Sequence, residues 1–319
     1  MGSKVFDFEK EINGLEQKCN IKIEDKKFAK SALSNLSYYD LIDDYKEVFA
    51  KDGDFQGISI EYLYDFYYFD HLLQTKILDY LLIVENFFKN AMSRVIGKKF
   101  GKRPEEYLDI NNYDKRKNNS MLRGVLRNIN NIARNPKPDF TPTSIYKKEH
   151  KDIPPHILFK NISFNEAIDL YTFLYNGDKK MVCDLLNPNI SRHEGALDLV
   201  EKTLTMIRKC RNVIAHNLLF INYKSESEFF ENIRNWKEFM ALTKNIEHKN
   251  GYDDVYSLIV AIIYLLEDQS FTDDMIKEIA GLKDKERFKK YDDIFERYAK
   301  ESGIPTDLLE RYEEYKKNN

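Results

Sequence analysis

Residues 59–97 decide the fold class, and they read SIEYLYDFYYFDHLLQTKILDYLLIVENFFKNAMSRVIG. Ser59 is a favourable helix N-cap residue, and Gly97 is a residue type common just past helix C-termini. No glycine or proline lies between them. From Ile77 to Phe88 the apolar residues lie nearly all round the helix, which is typical of a buried helix. We therefore predict one long central helix over this stretch.

Hydrophobic periodicity also predicts helices on both sides of this stretch, so the expected fold class is all-α: a helical bundle with an additional C-terminal helical region. The 12 glycines and 8 prolines are too few for an all-β protein rich in tight turns. Two of the other helices are expected to open with capping boxes, Ser163 with Glu166 and Ser191 with Glu194. The predicted helices outside the long one span 7–19, 25–36, 38–50, 119–133, 163–177, 191–217, 228–247, 253–266, 273–300 and 306–317.

Composition narrows the class of protein further. The 50 basic and 53 acidic residues nearly cancel and 42% of residues are hydrophobic, which excludes a disordered chain. The longest apolar run, 258–266, is much shorter than the ~20 residues that a membrane-spanning helix needs. The first residues lack the apolar core of an export signal, so we expect a soluble, cytoplasmic protein. Cys19, Cys183 and Cys210 are too far apart in sequence for a metal-ligand pair, and no metal or other cofactor is expected.

The segment most informative about chemistry is Arg208-Lys209-Cys210-Arg211-Asn212-Val213-Ile214-Ala215-His216-Asn217, at the predicted end of a helix. Arg211 and His216 lie roughly 140° apart around the helix and flank one groove, whereas Asn212 and His216 share a face. A histidine can transfer protons near neutral pH, and an arginine can hold a phosphate and stabilise its developing charge. These groups suffice for metal-independent RNA cleavage by an internal 2′-hydroxyl. The alternative is structural, because such residues near a helix end often bind carbonyl or carboxylate groups.

The wider sequence resembles the Abi-like family of bacterial abortive-infection proteins, of AbiD and AbiF type. Arg211-Asn212-Val213-Ile214-Ala215-His216 is similar to the R-N-x-x-A-H form of the R-x(4–6)-H motif of HEPN-domain ribonucleases. Three earlier segments, 38–45, 60–90 and 162–174, resemble the family's Y-x-L-I-x-x-Y element, its long first helix and its S-F-x-x-x-x-x-L-Y-x-x-L element. The likeness covers about residues 25–222. Asn165 departs from it, because the family commonly has a small residue there.

The resemblance implies a HEPN endoribonuclease acting as an abortive-infection or toxin effector, with Arg211, Asn212 and His216 as catalytic residues. HEPN sites are usually composite, with two motifs meeting across a dimer. This chain has one motif, so the resemblance implies a homodimer, and its activity would need an inhibitor such as a non-coding RNA antitoxin. The alternative is a non-catalytic HEPN scaffold that binds RNA or a protein partner.

From the residues themselves, Glu85 and Lys89 are four apart on the long helix, and we predict that they face the Arg211–His216 groove, with Glu85 holding Arg211 and Lys89 binding phosphate. The alternative is an ordinary ion pair within the helix. Arg208, one turn before Arg211, is also predicted to support the site.

Charge is unevenly distributed along the chain. Residues 98–151 hold 14 basic and 6 acidic residues, whereas residues 251–319 hold 11 basic and 17 acidic ones. The basic segment is interpreted either as an RNA-binding surface or as an ordinary solvated face. The residues predicted to contact RNA are Lys115, Arg116, Lys117, Arg123 and Arg127. The turn at 222–227 is the best candidate boundary, dividing the chain into a domain of residues 1–225 and a C-terminal extension of residues 226–319.

Overall fold

The computed structural model describes residues 7–246 and 253–318, and within these ranges the protein is all-α, as predicted. Extended backbone pairs there only in isolated bridges. Numbered in chain order, the α-helices are α1 (Phe8–Cys19), α2 (Lys26–Asn35), α3 (Lys46–Phe49), α4 (Ile60–Lys99), α5 (Pro104–Tyr107), α6 (Asn119–Arg134), α7 (Pro142–Glu149), α8 (Pro155–Leu158), α9 (Phe164–Thr172), α10 (Asn176–Leu186), α11 (Ala196–Ala215), α12 (Phe229–Ile233), α13 (Met240–Thr243), α14 (Val255–Leu265), α15 (Gln269–Ala280), α16 (Ile294–Ser302) and α17 (Leu308–Asn318).

Helix α4 is the long helix that the sequence predicts. It has 40 residues and is therefore about 60 Å long. Ser59 caps its start, where the hydroxyl accepts a hydrogen bond from the Tyr62 amide (3.2 Å). The predicted end at Gly97 is wrong, because the helix continues to Lys99. The glycine that the chain uses after this helix is Gly101, which has a φ of +109° and no room for a side chain beside Glu106.

The hydrophobic core is built around α4, which contacts α2, α8, α9, α10, α11, α14 and α15. All 11 residues of α14 are buried, so this apolar helix from the C-terminal region belongs to the core. A second link to that region is made by the buried Asp65 of α4, which binds Lys290 Nζ (2.8 Å) and the Tyr291 hydroxyl (2.9 Å). These contacts join the two parts of the chain extensively. They do not test whether the parts are separate domains, so the division at residue 225 stays a prediction.

One of the two predicted capping boxes is confirmed. At the start of α9 the Glu166 amide donates to the Ser163 hydroxyl (3.1 Å), and the Ser163 amide donates to the Glu166 carboxylate (2.8 Å). The box at Ser191 is wrong, because its hydroxyl donates to Asp184 instead. Helix α11 begins only after Gly195, whose left-handed conformation (φ +74°) separates it from the preceding turn.

Other helix boundaries differ where the chain bends to fit the core. Predicted helices 7–19, 25–36 and 119–133 are confirmed to within two residues as α1, α2 and α6. The predicted helix 163–177 ends at Thr172, and α10 follows separately. The predicted helix 228–247 is instead two short helices, α12 and α13, and its last residue lies outside the described residues.

Candidate active site

Helix α11 carries the Arg–Asn–His motif in its last turns. Its side chains at Ile207, Cys210 and Ile214 are buried at a spacing of three and four residues, which is that of an amphipathic helix. The opposite sides of the helix are therefore left towards solvent. Arg211 is half-buried, whereas Asn212 and His216 are exposed. The motif thus lies at the border between core and surface.

The end of α11 is fixed by its backbone. The Leu218 amide donates to the Val213 carbonyl (3.1 Å) and the Asn217 amide to the Ile214 carbonyl (2.9 Å), which together make a Schellman motif. Asn217 has a φ of +51°, in the left-handed region that asparagine adopts more readily than most residues. His216 is the C-cap residue of the helix. The position of its backbone is consequently set by a defined helix end.

The segment after His216 is hydrogen-bonded to helix α4. Three hydrogen bonds make this link: from Asn217 Nδ2 to the Tyr67 hydroxyl (3.2 Å), from Gln74 Nε2 to the Leu218 carbonyl (3.4 Å), and from the Phe220 amide to the Asp70 carboxylate (3.3 Å). Because α4 is the central helix of the core, these bonds hold the exit from the motif against a rigid support.

Asp70 is a buried residue for which we predicted no role. Its carboxylate also accepts hydrogen bonds from Gln74 Nε2 (3.0 Å) and from the hydroxyl groups of Tyr45 (3.5 Å) and Tyr298. Burial raises the pKa of Asp70 to about 6, although these hydrogen bonds act in the opposite direction. In the sequence, the only local indication of a role for Asp70 is that an acidic residue lies on the apolar face of a helix predicted to be buried.

Glu85 lies between two cations at the middle of α4. Its carboxylate is 3.8 Å from Arg211 Nε and 3.4 Å from Lys89 Nζ. Lys89 also donates to the Ile162 carbonyl (2.7 Å), just before the cap of α9. Burial lowers the pKa of Lys89, and Glu85 opposes that shift. The structure therefore brings both predicted supporting residues of α4 beside Arg211, with Lys89 bound to the backbone of the next segment.

Arg208 contacts α9, one turn before the motif. Its guanidinium donates to the Asn165 side-chain oxygen, and Asn165 in turn donates to the Asp169 carboxylate (2.9 Å). Burial raises the pKa of Asp169, whereas the charge of Arg208 lowers it. Asn165, the departure noted in the sequence, is thus the residue through which α9 holds Arg208.

A small cleft opens beside Glu85 and Lys89, with a volume of about 190 Å³. Its far wall is formed by Phe159 and Lys160, and the Lys160 ammonium donates to the Asn86 side chain (3.0 Å). Lys160 is a cation near the site that no sequence motif singled out. Its placement depends on the fold, because it is 51 residues before Arg211 in the chain.

Asn212 and His216 have side chains that make no hydrogen bond or ion pair with the described residues of this chain. They are one helical turn apart and both exposed, so both can reach a bound molecule. Arg211, with 40% of its side chain exposed, retains donors for an anion while Glu85 holds its Nε side. The arrangement offers an anion-binding group, an amide and an imidazole at one helix end.

The residues predicted to bind RNA fall into two places. Lys115, Arg116 and Lys117 lie in the turn before α6, where Arg116 makes two hydrogen bonds of 2.8 Å to Asp114 and holds the pKa of that carboxyl down at about 2. Arg123 and Arg127 lie on the exposed side of α6. Arg116 is therefore paired with a carboxylate, whereas Arg123 and Arg127 are exposed cations on a helix.

Residues 7–246 and 253–318 contain no group of three His, Cys, Asp or Glu residues that could hold a metal ion. In the same part of the chain, every helix is too short or too polar to cross a membrane.

The model of a family described as "Abi-like protein" matches residues 31–222. The match includes α4, the capped helix α9 and the whole of α11 with its exit segment. No curated protein and no solved structure matches the chain.

Proposed function

The chain belongs to the Abi-like protein family, and on this premise we propose that it is a metal-independent endoribonuclease of the HEPN type. It acts as an abortive-infection or toxin effector in bacterial defence. Family membership supports the abortive-infection role. The ribonuclease activity rests on the chemistry of the motif at the end of α11.

The proposal rests on one observation about the motif: two of its polar side chains are exposed and make no hydrogen bond or ion pair with the described residues, and the third forms an ion pair. Asn212 and His216 are exposed and unengaged among the described residues, whereas Arg211 is oriented by Glu85. A purely structural motif would use its polar groups on neighbouring carbonyl or carboxylate groups, as Arg208 uses its own on Asn165. Here the imidazole and the amide remain available for a substrate.

The proposed reaction is internal transesterification of RNA. The 2′-hydroxyl loses its proton and attacks the adjacent phosphorus, the bond from phosphorus to the 5′-oxygen breaks, and that oxygen gains a proton. The products are a 2′,3′-cyclic phosphate and a 5′-hydroxyl. His216 transfers a proton, Arg211 stabilises the charge on the phosphorane, and Asn212 orients the phosphate or the imidazole. Glu85, Lys89 and Arg208 position these groups.

The second proton transfer is assigned to another copy of the chain. We propose a homodimer in which Arg211 and His216 of both chains line one cleft, because one chain supplies one motif and the reaction needs both a base and an acid. Sedimentation should show a dimer, and activity per chain should fall on dilution below its dissociation constant. A strict monomer with full activity at high dilution would contradict the composite site.

Activity of this kind would be held in check until needed. We propose an inhibitor that masks the site, either a non-coding RNA antitoxin or a protein. Expression in cells should arrest growth unless this inhibitor is supplied.

The direct test is RNA cleavage by the purified protein in the presence of a chelator. The wild type should produce fragments ending in a 2′,3′-cyclic phosphate, and His216→Ala should lower the rate by about 10²- to 10⁴-fold. His156→Ala is the matched control, since His156 is also an exposed histidine but lies on α8 outside the motif. If wild type and His216→Ala both bind RNA without cleaving it, the non-catalytic scaffold is the correct interpretation.

A further inference from the structure

A second polar cleft, distinct from the motif, lies between α6 and α7. It has a volume of about 400 Å³. The cations that line it are Arg127 and Arg134 of α6, Lys147 of α7, and Lys151. Among the described residues, none of these four cations has a carboxylate within ion-pair distance; Lys147 donates instead to the Lys151 carbonyl (2.7 Å). The cleft therefore concentrates positive charge that the protein does not neutralise.

Other cations of the same basic segment are already paired. Lys99 lies 3.4 Å from Asp178, and Arg103 and Arg116 bind Glu106 and Asp114. The opposite wall of the cleft does contain two acids, Glu105 and Asp152. Both lie near Arg103, whose pKa is raised first by Glu106 and more weakly by these two acids. The unneutralised charge of the segment is thus on the α6 and α7 side.

The cations of α6 form a stripe. The three cations are Arg123, Arg127 and Arg134, and the neutral Asn130 lies between the last two. The four residues are spaced by four, three and four positions, which places them on one face over about 16 Å. The opposite face, with Leu122 and Ile129, is buried, and α6 packs on α9. The stripe consequently faces away from the core along the whole helix. A row of fixed cations of this length matches an extended phosphate backbone better than a single small anion.

An exposed aromatic residue lies in the loop that joins the two helices of the cleft. Phe140 is 80% exposed, the highest value among the large hydrophobic residues described. The loop around it is ordered by hydrogen bonds, because the Ser144 hydroxyl contacts the carbonyl groups of Pro136 (2.9 Å) and Pro138 (2.8 Å). Single-stranded bases stack on exposed aromatic rings that accompany a basic groove, and Phe140 is such a ring in the loop joining the two helices that carry the cations of the cleft.

The same loop contacts the segment that borders the candidate active site. Asn161 Nδ2 donates to the Lys137 carbonyl (3.2 Å), and the residue before Asn161 is Lys160, which lines the cleft beside Glu85. The basic cleft, the loop and the motif are therefore connected in space through residues 159–162.

We propose that single-stranded RNA binds along the Arg123–Arg134 stripe and the cleft of Arg127, Arg134 and Lys151, stacks a base on Phe140, and continues past Lys160 to Arg211. The identity of the ligand rests on the proposed function, but the binding can be tested without cleavage. Phosphates contact the cations, and the stacking contact makes the site selective for unpaired strands.

The first test measures affinity for a labelled single strand of about 16 nucleotides as a function of salt. All variants are made in the His216→Ala protein, so that the RNA stays intact and a lack of cleavage cannot be mistaken for a lack of binding. Changing Arg127, Arg134 and Lys151 to Gln should flatten the slope of log K against log salt by about 2, at ~0.7 for each lost contact. The charge-matched control changes Lys22, Arg234 and Lys289, which are exposed cations paired with carboxylates elsewhere, and should leave the slope unchanged.

The second test concerns stacking. Phe140→Ala should weaken binding of the same strand by about 5- to 100-fold without changing the salt slope, and Phe140→Trp should restore it. Met240→Ala, at another exposed apolar side chain, is the control. A duplex of the same length should bind the wild type and Phe140→Ala equally.

Four results would overturn the proposal. One is an unchanged salt slope in the cleft variant, or a flattening found only when Lys115, Arg116 and Lys117 are changed instead. Another is full competition by a mononucleotide at the concentration of the strand, which would indicate a small-molecule site. The third is a change in sedimentation of Phe140→Ala with unaltered RNA affinity, which would make Phe140 a protein-contact residue. The fourth is equal weakening of duplex and single-strand binding.

Discussion

The hydroxyl of Tyr298, on α16, donates a hydrogen bond to the carboxylate of Asp70, on α4. The same carboxylate accepts the amide of Phe220, four residues after His216. One buried group therefore joins the C-terminal region, the central helix and the exit from the motif. The acidic C-terminal region thus contributes directly to the support of the candidate active site.

The buried Asp70 should make stability depend on pH. An acid whose pKa is raised on folding, here from 3.8 to about 6, binds its proton more tightly in the folded state, so stability falls as the pH rises through this window. The free energy of unfolding of the wild type should fall by about 2 kcal/mol relative to that of Asp70→Asn between pH 4 and pH 7. Denaturant unfolding at each pH measures this. Asp79→Asn, on the exposed side of the same helix, should run parallel to the wild type.

The left-handed residue after the motif predicts a local effect on activity. Asn217→Ala should lower stability by about 1–2 kcal/mol, because a Cβ-bearing residue without a polar side chain is strained at φ +51°, and it also removes the bond to Tyr67. Asn217→Gly should be better tolerated. Asn20 has nearly the same conformation (φ +53°) at the end of α1, and its side chain donates to Asp54 (2.9 Å), so Asn20→Ala controls for the same strain and a similar lost hydrogen bond at a site away from the motif. Only the change at Asn217 should slow RNA cleavage; equal cleavage by both variants would contradict a positioning role.

Glu85 should act through Arg211. Glu85→Gln keeps the size of the side chain but removes the charge that holds Arg211, and cleavage at saturating RNA should slow by about 10- to 100-fold with the thermal midpoint little changed. Glu278→Gln removes a different carboxylate paired with α4, through Lys76, and should cleave RNA normally. A Glu85→Gln protein with a normal rate and altered RNA affinity would instead show that Glu85 shapes binding.

The division of the chain at residue 225 can be tested by truncation. A protein ending there loses α14, whose 11 buried residues pack against α4 and α11, and the partners of Asp65 and Asp70. We expect it to lack a cooperative unfolding transition by circular dichroism. The full chain with Tyr291→Phe, which loses one of these bonds, should still unfold cooperatively. Native-like unfolding of the truncated protein would support two independent domains.

Local patterns in the sequence predicted the central helix, its Ser59 cap and the helix that carries the motif. They could not predict where those helices end, because the ends depend on contacts with distant residues. Helix α4 passes Gly97 and stops before Gly101, where Glu106 leaves no space for a side chain. The apparent capping box at Ser191 failed for the same reason, since its hydroxyl binds Asp184.

The placement of the site residues shows the same limit. The pairing of Glu85 with Arg211 could be predicted, because Glu85 and Lys89 are polar residues four apart in an apolar stretch of the long helix. The role of Asp70 could not, since its partners Tyr45, Phe220 and Tyr298 come from three separate parts of the chain. The Arg208–Asn165 bond likewise joins two helices whose packing no local pattern encodes.

The bond between Tyr298 and Asp70 also has a consequence for the order of events during translation. The ribosome releases the motif first, and Tyr298 follows about 80 residues after His216. At ~5–20 residues per second, this leaves a delay of about 4 to 16 seconds in which Arg211 and His216 have been synthesised but the Asp70 carboxylate, which binds the segment after the motif, lacks its last donor. On the proposed function, the nascent chain should gain ribonuclease activity only when its synthesis is almost finished, and the messenger RNA that encodes it should be spared until then.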